Sequence, residues 1–462
     1  MASRYLIAVG GTGQHIALAV SRLVRANALV GDIQLIALDP DNETPLPQLL
    51  KAPTPSLSGM NHPLKNGTVR APFDIERLGK KTFEELFVDP DHPEEQELFQ
   101  ALFDADEGNI PVHKGMYGTP CVGATVFGEG ANSDALQNLL KPLATASQVF
   151  VCGSMVGGTG AGLMHKLVRE IQRYYAGELF GIFMLPWFDI EGGGGASAIN
   201  MAVINRNASH GTKYFYEHTL PILTASLLVG SSGLRATPVL QRIRVGEGDM
   251  KEKPSYLHLV AARALLDLPK AHTANREVKA YGMVHSLTRE GWLLDEIWET
   301  GLSLRQLVRG LRVQENLLRF ITEKKNREKI LSYYEGGFWK SPESWKPLDA
   351  SIVANAGDKK QRRALAERTL DRFEEIGQEV RFCVDWAQQL FPRGLLDVEN
   401  DLLMRDLSDS AKKGAESELH WRLLRELWTG SELPANPTRP NGGTEIANHH
   451  ADAILKRARQ VS

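Results

Sequence analysis

The 462-residue chain is poor in cysteine, with only Cys121, Cys152 and Cys383, three in number and far apart. An odd, scattered set offers neither a disulfide framework nor zinc-ligand spacing, and it fits a reducing cytoplasm. Long apolar runs are missing too. Nothing approaches the roughly 20 consecutive apolar residues of a membrane-spanning helix. The opening MASRYLIAVGGTG holds an apolar run of about five residues that leads into glycines, unlike a secretory signal. Charge of one sign is not in excess: the net charge is −3, so no global basic field recruits nucleic acid or anionic lipid. The thirteen histidines show no ligand spacing, and adjacent His449 and His450 would point about 100° apart on a helix.

What remains is an ordinary globular mixture, 42% apolar and 24% charged, long enough for two domains. Short apolar runs at 5–9 (YLIAV), 33–38 (IQLIAL), 149–152 (VFVC) and 179–185 (LFGIFML) end at Gly, Asp or Pro and read as buried parallel strands. Helical patterns lie between them, at 14–26 and 162–175, so the fold class is α/β with a parallel sheet. Residues 42–115, rich in Pro, Asp and Glu, read as excursions, and 256–268 as a buried helix. Beyond about 270, charged helical patterns dominate, as at 304–323 and 360–390. We therefore expect a nucleotide-binding domain at 1–268, a mainly helical second domain at 269–432, and a linker with C-terminal tail at 433–462.

Two glycine-rich turns carry the functional signal. The first, Gly10, Gly11, Thr12, Gly13, Gln14 and His15, joins a strand to a helix, where glycine lets the backbone approach a phosphate. With Asp39 closing the next strand, this half alone also suits a dinucleotide fold, Asp39 then meeting a ribose. The third fingerprint glycine is absent, however, since Ile16 stands there, and no Walker sequence is present. The second turn, residues 153–162 (GSMVGGTGAG), places Gly157, Gly158, Gly160 and Gly162 within six residues. Each glycine costs about 0.5–1 kcal/mol of backbone entropy. The economical reading is a nest of amides around phosphate oxygens, with the Thr159 hydroxyl as a further donor.

Residues 156–162 (VGGTGAG) resemble the tubulin signature GGGTG[ST]G, with Val156 and Ala161 as departures. In sequence order, 11–16 (GTGQHI) is similar to the first tubulin loop and 37–42 (ALDPDN) to the FtsZ segment AINTDA, Asp41 falling on the family's Asp. Residues 115–123 (GMYGTPCVG) match the FtsZ loop GAGGNPEVG at Gly115, Gly118, Pro120, Val122 and Gly123. The run 184–192 (MLPWFDIEG) is similar to the FtsZ run KPFxFEG, and Asn207-Ala208 to the tubulin Asn-Ala pair.

The resemblance covers about residues 4–268, and it is closer to divergent bacterial tubulin-like proteins than to FtsZ. It implies a tubulin/FtsZ-type domain that holds GTP or GDP with Mg2+. Phosphates would meet Gly10–Gln14 and 157–162, Ala161 included. Gly118 and Thr119 would face the γ-phosphate, and Asp41 would stand near the Mg2+. Pro186 marks the matched run and Glu191 the ribose contact. Asn207 would read guanine, and Tyr256 would stack on the base.

The resemblance further implies hydrolysis completed by an acid from a neighbouring subunit, and hence head-to-tail self-association into filaments. Asp267, Asp295 and Glu296 are the candidate catalytic acids, although the family's acidic motif is not intact here. A nucleotide-bound adaptor or switch with little hydrolysis, and an NAD-dependent enzyme, stay open as alternatives. The segment 444–461, after the proline-containing stretch 433–443, is a candidate docking tail for a protein partner.

Overall fold

The computed structural model describes residues 4–26, 33–39, 81–112, 118–130, 134–185, 189–190, 201–232, 242–243, 256–274, 276–277, 279–288, 291–294, 304–336, 345–390, 424, 428 and 442–460. Contacts group the chain into two units: Met1–Ser21, Gly31–Leu57 and Asn61–Gly301 form the first, and Arg22–Val30, Ser58–Met60 and Leu302–Ser462 the second.

The first unit is built on β1 (Arg4–Val9), β2 (Ile33–Leu38), β3 (Gln148–Ser154), β4 (Glu178–Met184), β6 (Ala225–Ser232), β8 (Ala280–Thr288) and β9 (Gly291–Leu294). They form one sheet in the order β2-β1-β3-β4-β6-β8-β9, parallel except for β9, which runs antiparallel to β8. Two short strands, β5 (Asp189–Ile190) and β7 (Arg242–Ile243), pair separately. In register, Ile7 stands beside Ile36 on one side and Val151 on the other. The central strands are continuously apolar because both faces are covered.

Period-two alternation assigns those faces. Tyr5, Ile7, Val9, Val149 and Val151 enter a core with Leu163, Met164, Leu167, Val168 and Ile171 of α7 (Gly158–Tyr174) and Val122, Val126 and Phe127 of α5 (Pro120–Gly130). The alternate residues meet other helices. Gly13 of α1 (Gly10–Arg25) lies on Ala8 and Cys152, and His272 of α9 (Tyr256–Ala274) contacts Phe180. Before α5 come three short helices, α2 (Phe83–Phe87), α3 (Pro93–Leu102) and α4 (Ala105–Gly108). Then follows α6 (Asp134–Leu140), and α8 (Met201–Tyr214) lies between β5 and β6. The sheet continues past Leu268 with β8 and β9, strands not anticipated from the sequence.

The second unit is helical: α10 (Leu304–Thr322), α11 (Lys324–Glu335), α12 (Lys346–Asn355), α13 (Lys359–Leu390) and α14 (Gly442–Gln460). Helix α14 occupies the sequence expected to be a docking tail, and it packs instead on α10, α12 and α13. Its Ile446, Ala447, Ala451, Ile454 and Leu455 fall on one buried stripe. Polar side chains fix its register. Gln314 Nε2 donates to the Ala451 carbonyl at 3.1 Å, Arg372 Nε to Asn448 Oδ1 at 3.1 Å, and Ser351 Oγ bonds His450 Nε2 at 3.0 Å.

Candidate phosphate-binding site

Strands β1 and β3 are neighbours, but β2 lies on one side of β1 while the chain returns to the other side for β3. This reversal is a topological switch point, where open α/β sheets form a crevice beyond the carboxyl ends of their strands. Both glycine turns open there, because one follows β1 and the other follows β3.

Gly10 has φ +69°, a left-handed conformation that glycine adopts without strain. A Cβ there would come within 3.1 Å of Gly160 N and 3.3 Å of Thr159 Cβ, so the two turns lie in contact. The next residues already belong to α1. Thr12 is buried and Gly11 half-buried, and Gly13 rests so close to the sheet that a Cβ would meet Cys152 O at 2.7 Å. Gln14 Nε2 donates to Asp39 Oδ2 at 2.8 Å, both side chains buried, which ties α1 to the end of β2. Here Asp39 serves that tether.

His15 turns into the core and stacks on His258 of α9 with ring centroids 5.1 Å apart. Neither of its ring nitrogens has a hydrogen-bond partner among the described residues. Burial pushes its pKa down to about 4, so the ring is neutral. His15 therefore packs the floor of the turn.

In the second turn, the Ser154 hydroxyl accepts from Val156 N at 3.1 Å and Gly157 N at 3.2 Å. Those two amides are satisfied inside the loop. Gly157 is the N-cap of α7 with no side-chain cap, and the first helical bond runs from Ala161 N to Gly157 O at 2.9 Å. Amides of the first turn, Gly158, Thr159 and Gly160, thus lack intrahelical acceptors, as at any helix start. Neither α1 nor α7 has an acidic residue in its own first turn, and the carboxylate beside the start of α1 is that of Asp39, held by Gln14.

The glycines also answer to packing. A Cβ at Gly160 would meet Ser154 O at 2.9 Å, and one at Gly162 would meet Pro120 O at 2.5 Å and Ala124 N at 2.7 Å. A Cβ at Gly123 would collide with the Gly158 carbonyl. The first turns of α5 and α7 therefore cross backbone to backbone. Gly118, at φ +73°, leads into α5 through Thr119, whose carbonyl accepts from Gly123 N at 3.3 Å. Asn207 Nδ2 donates to the Gly118 carbonyl at 3.4 Å, which brings α8 to this third loop.

Asp267, a candidate catalytic acid, is buried on α9 and paired with Arg263 of the same helix through Nε–Oδ2 at 2.9 Å and Nη2–Oδ1 at 3.3 Å. Both its oxygens are engaged within its own helix. Asp41, Gly115, Pro186, Glu191, Asp295 and Glu296 lie outside the described residues, as does the side chain of Tyr256. Among the described residues no three His, Cys, Asp or Glu side chains gather as a metal site. Ser154 and His258 were missed as site-shaping residues, whereas Gly123 had been matched to the third loop. Ser154 had a readable signal, a hydroxyl inside the turn and three residues before Gly157.

The arrangement fits an anion. Two helix starts on adjacent strands lie in contact, and their first-turn amides lack intrahelical acceptors. The residues that would hold a phosphate chain are Gly10–Gly13 and Gly158–Gly160.

No family model matches the chain, and no curated protein matches it. Solved structures do. The chain is similar to CetZ from Methanosaeta thermophila at 16% identity, over 60% of this chain and 56% of that one, with TM-score 0.32. It is similar to CetZ2 from Haloferax volcanii, solved as a GTPgS-bound protofilament, at 16% identity, over 69% and 72%, with TM-score 0.34. An empty FtsZ dimer from M. jannaschii matches at 14% identity, over 59% and 55%, with TM-score 0.31. The chain spans little more than half the length of two of these three structures. It combines an α/β parallel-sheet unit with a helical unit, and CetZ and FtsZ proteins are among the solved structures it is similar to.

Proposed function

We infer that this protein is a divergent relative of tubulin and FtsZ whose sheet unit binds GTP or GDP at the switch point. The observation that carries this reading is the contact between the two turns: Gly10 lies against Gly160, so two helix starts come together at the switch point. A dinucleotide fold uses one such turn, whereas a triphosphate tail occupies both. Asn207, which donates to the Gly118 carbonyl, would read the base, and Mg2+ would be held through the phosphates with Asp41. The protein would then assemble head to tail and hydrolyse GTP with an acid from the neighbouring subunit, Asp295 and Glu296 being the remaining candidates. Among the described residues no helix is long and apolar enough to cross a membrane, and we place the protein in the cytoplasm.

The test is to identify the nucleotide released on denaturing purified protein, then to measure GTP, ATP and NAD affinities. GTP should bind best. Gly158→Val should weaken it roughly tenfold to a hundredfold, the worth of one or two bonds to a charged group. Preferential NAD binding, or unaltered GTP affinity in Gly158→Val, would sink the assignment. Light scattering and phosphate release on adding GTP and Mg2+ test assembly and hydrolysis together. Release that rises faster than linearly with protein concentration is the expected sign of a shared site.

A further inference from the structure

Residues 81–112, which carry α2, α3 and α4, hold ten Asp or Glu and a single cationic side chain, Lys81, in a chain whose net charge is only −3. Helix α3 begins with Pro93 at its first turn, where a missing N–H costs nothing, and Glu94 and Glu95 there complement the helix dipole. Two i, i+4 apolar pairs run along it, one residue out of phase. Phe99 and Phe103 face inward and meet Phe83 of α2, with ring centroids 5.2 and 4.9 Å away. Leu98 and Leu102 face outward and remain 61% and 65% exposed. Phe99 is the only buried residue of α3, so the fold needs one stripe and leaves the other uncovered. The nearby acids are not all spent on local structure. Glu85 and Glu107 close capping boxes and Glu95 accepts from Asp89 N. Glu97 and Asp106 are exposed beside or just beyond the leucines.

We propose that the Leu98–Leu102 ridge of α3 is the docking surface for a basic amphipathic helix of a partner protein. The leucine pair spans one turn and presents a ridge that the groove of a second helix accepts. Glu94, Glu95 and Glu97 lie within one turn before it, and Asp104 and Asp106 follow it. Lys or Arg flanking the partner's own apolar stripe would therefore meet acids at both ends of the contact. A neutral or acidic helix would bring its polar residues against like or unpaired charge. The surface depends on no reading of the glycine turns.

The experiment titrates full-length protein into a labelled helical peptide that carries leucines at i, i+4 flanked by lysines, followed by fluorescence anisotropy. Leu98→Ser with Leu102→Ser should weaken binding about tenfold or more, with the melting temperature unchanged because both side chains are exposed. Glu94→Lys with Glu95→Lys should do the same and should be rescued by a peptide carrying Glu in place of Lys. A peptide of equal composition with its leucines scrambled out of helical register should bind at least tenfold more weakly. Undiminished binding by the serine variant, or by the scrambled peptide, overturns the proposal. So does self-association of the chain that the same two serines abolish, which would assign the ridge to a second copy.

Discussion

The glycine turn after β1 and the glycine turn after β3 both lead from a buried parallel strand into a helix, and they touch at Gly10 and Gly160. Their glycines meet different demands. In the first turn, Gly10 supplies a left-handed φ and Gly13 lets α1 lie against the sheet, while a side-chain bond from Gln14 to Asp39 holds the helix in place. In the second turn, Gly160 and Gly162 make room for backbone of Ser154 and of α5, and the tether is the Ser154 hydroxyl holding two loop amides. Glycine density therefore measures close approach by anything, and the neighbouring helix accounts for part of it. The amides left without an intrahelical acceptor are those of the first helical turn.

The sharpest way to break this contrast is to fill the space that each turn leaves. Gly162→Val places carbon against Pro120 O and Ala124 N, backbone atoms that cannot yield cheaply, and should cost about 3 kcal/mol or more. Gly10→Ala chiefly incurs a left-handed φ, worth roughly 1–2 kcal/mol. Chemical denaturation of the two variants reads the difference, and equal losses would show that both glycines are conformational.

The next effect isolates the floor of the first turn. His15 has a folded-state pKa of about 4, below its ordinary 6.5, so the unfolded chain binds the proton more tightly. The stability this neutral ring contributes is complete above pH 6.5 and declines as pH falls through 6.5 toward 4. It amounts to about 3 kcal/mol for a shift of this size. His15→Phe keeps an aromatic ring against His258 and removes the proton site, so its denaturation midpoint should fall less than that of the natural chain over this range. Parallel declines would locate the acid sensitivity elsewhere.

The smallest effects compare the tethers. Gln14→Leu removes a buried bond to a carboxylate and should cost about 2 kcal/mol, whereas Ser154→Ala removes bonds between neutral groups and should cost about 1 kcal/mol. Reversal of that order, measured by denaturation, would make the second turn the more tightly held.

Much of the sheet was legible. The runs at 5–9, 33–38, 149–152 and 179–185 became β1 to β4 because continuous apolar stretches bounded by Gly, Asp or Pro have few other solutions. The helix starts were read late. Both α1 and α7 begin four residues before the expected positions, inside the glycines themselves. Glycine is a poor helix former, yet in a first turn its lack of a side chain lets the helix sit closer than its propensity suggests. The buried helix expected to stop at 268 runs through Pro269 to Ala274. Strands β6 and β8 were passed over because ASLLVGSS and AYGMVHSLT mix glycine and polar residues with their apolar ones. In the site, the glycines were legible as a class, but the bond between Gln14 and Asp39 spans 25 residues and no local pattern reveals it.

By itself the sequence determined an α/β unit with two glycine-lined helix starts and a helical unit after it, because hydrophobic period and turn chemistry act over a few residues. Tertiary structure decided which strands are neighbours, that the two turns touch, and which glycines face a helix and which face the crevice. It also turned His15 inward, engaged both oxygens of Asp267 and folded the last segment into the helical unit. Each of these depends on what stands opposite a residue across the fold, and steric and electrostatic partners distant in the chain leave no local mark on it.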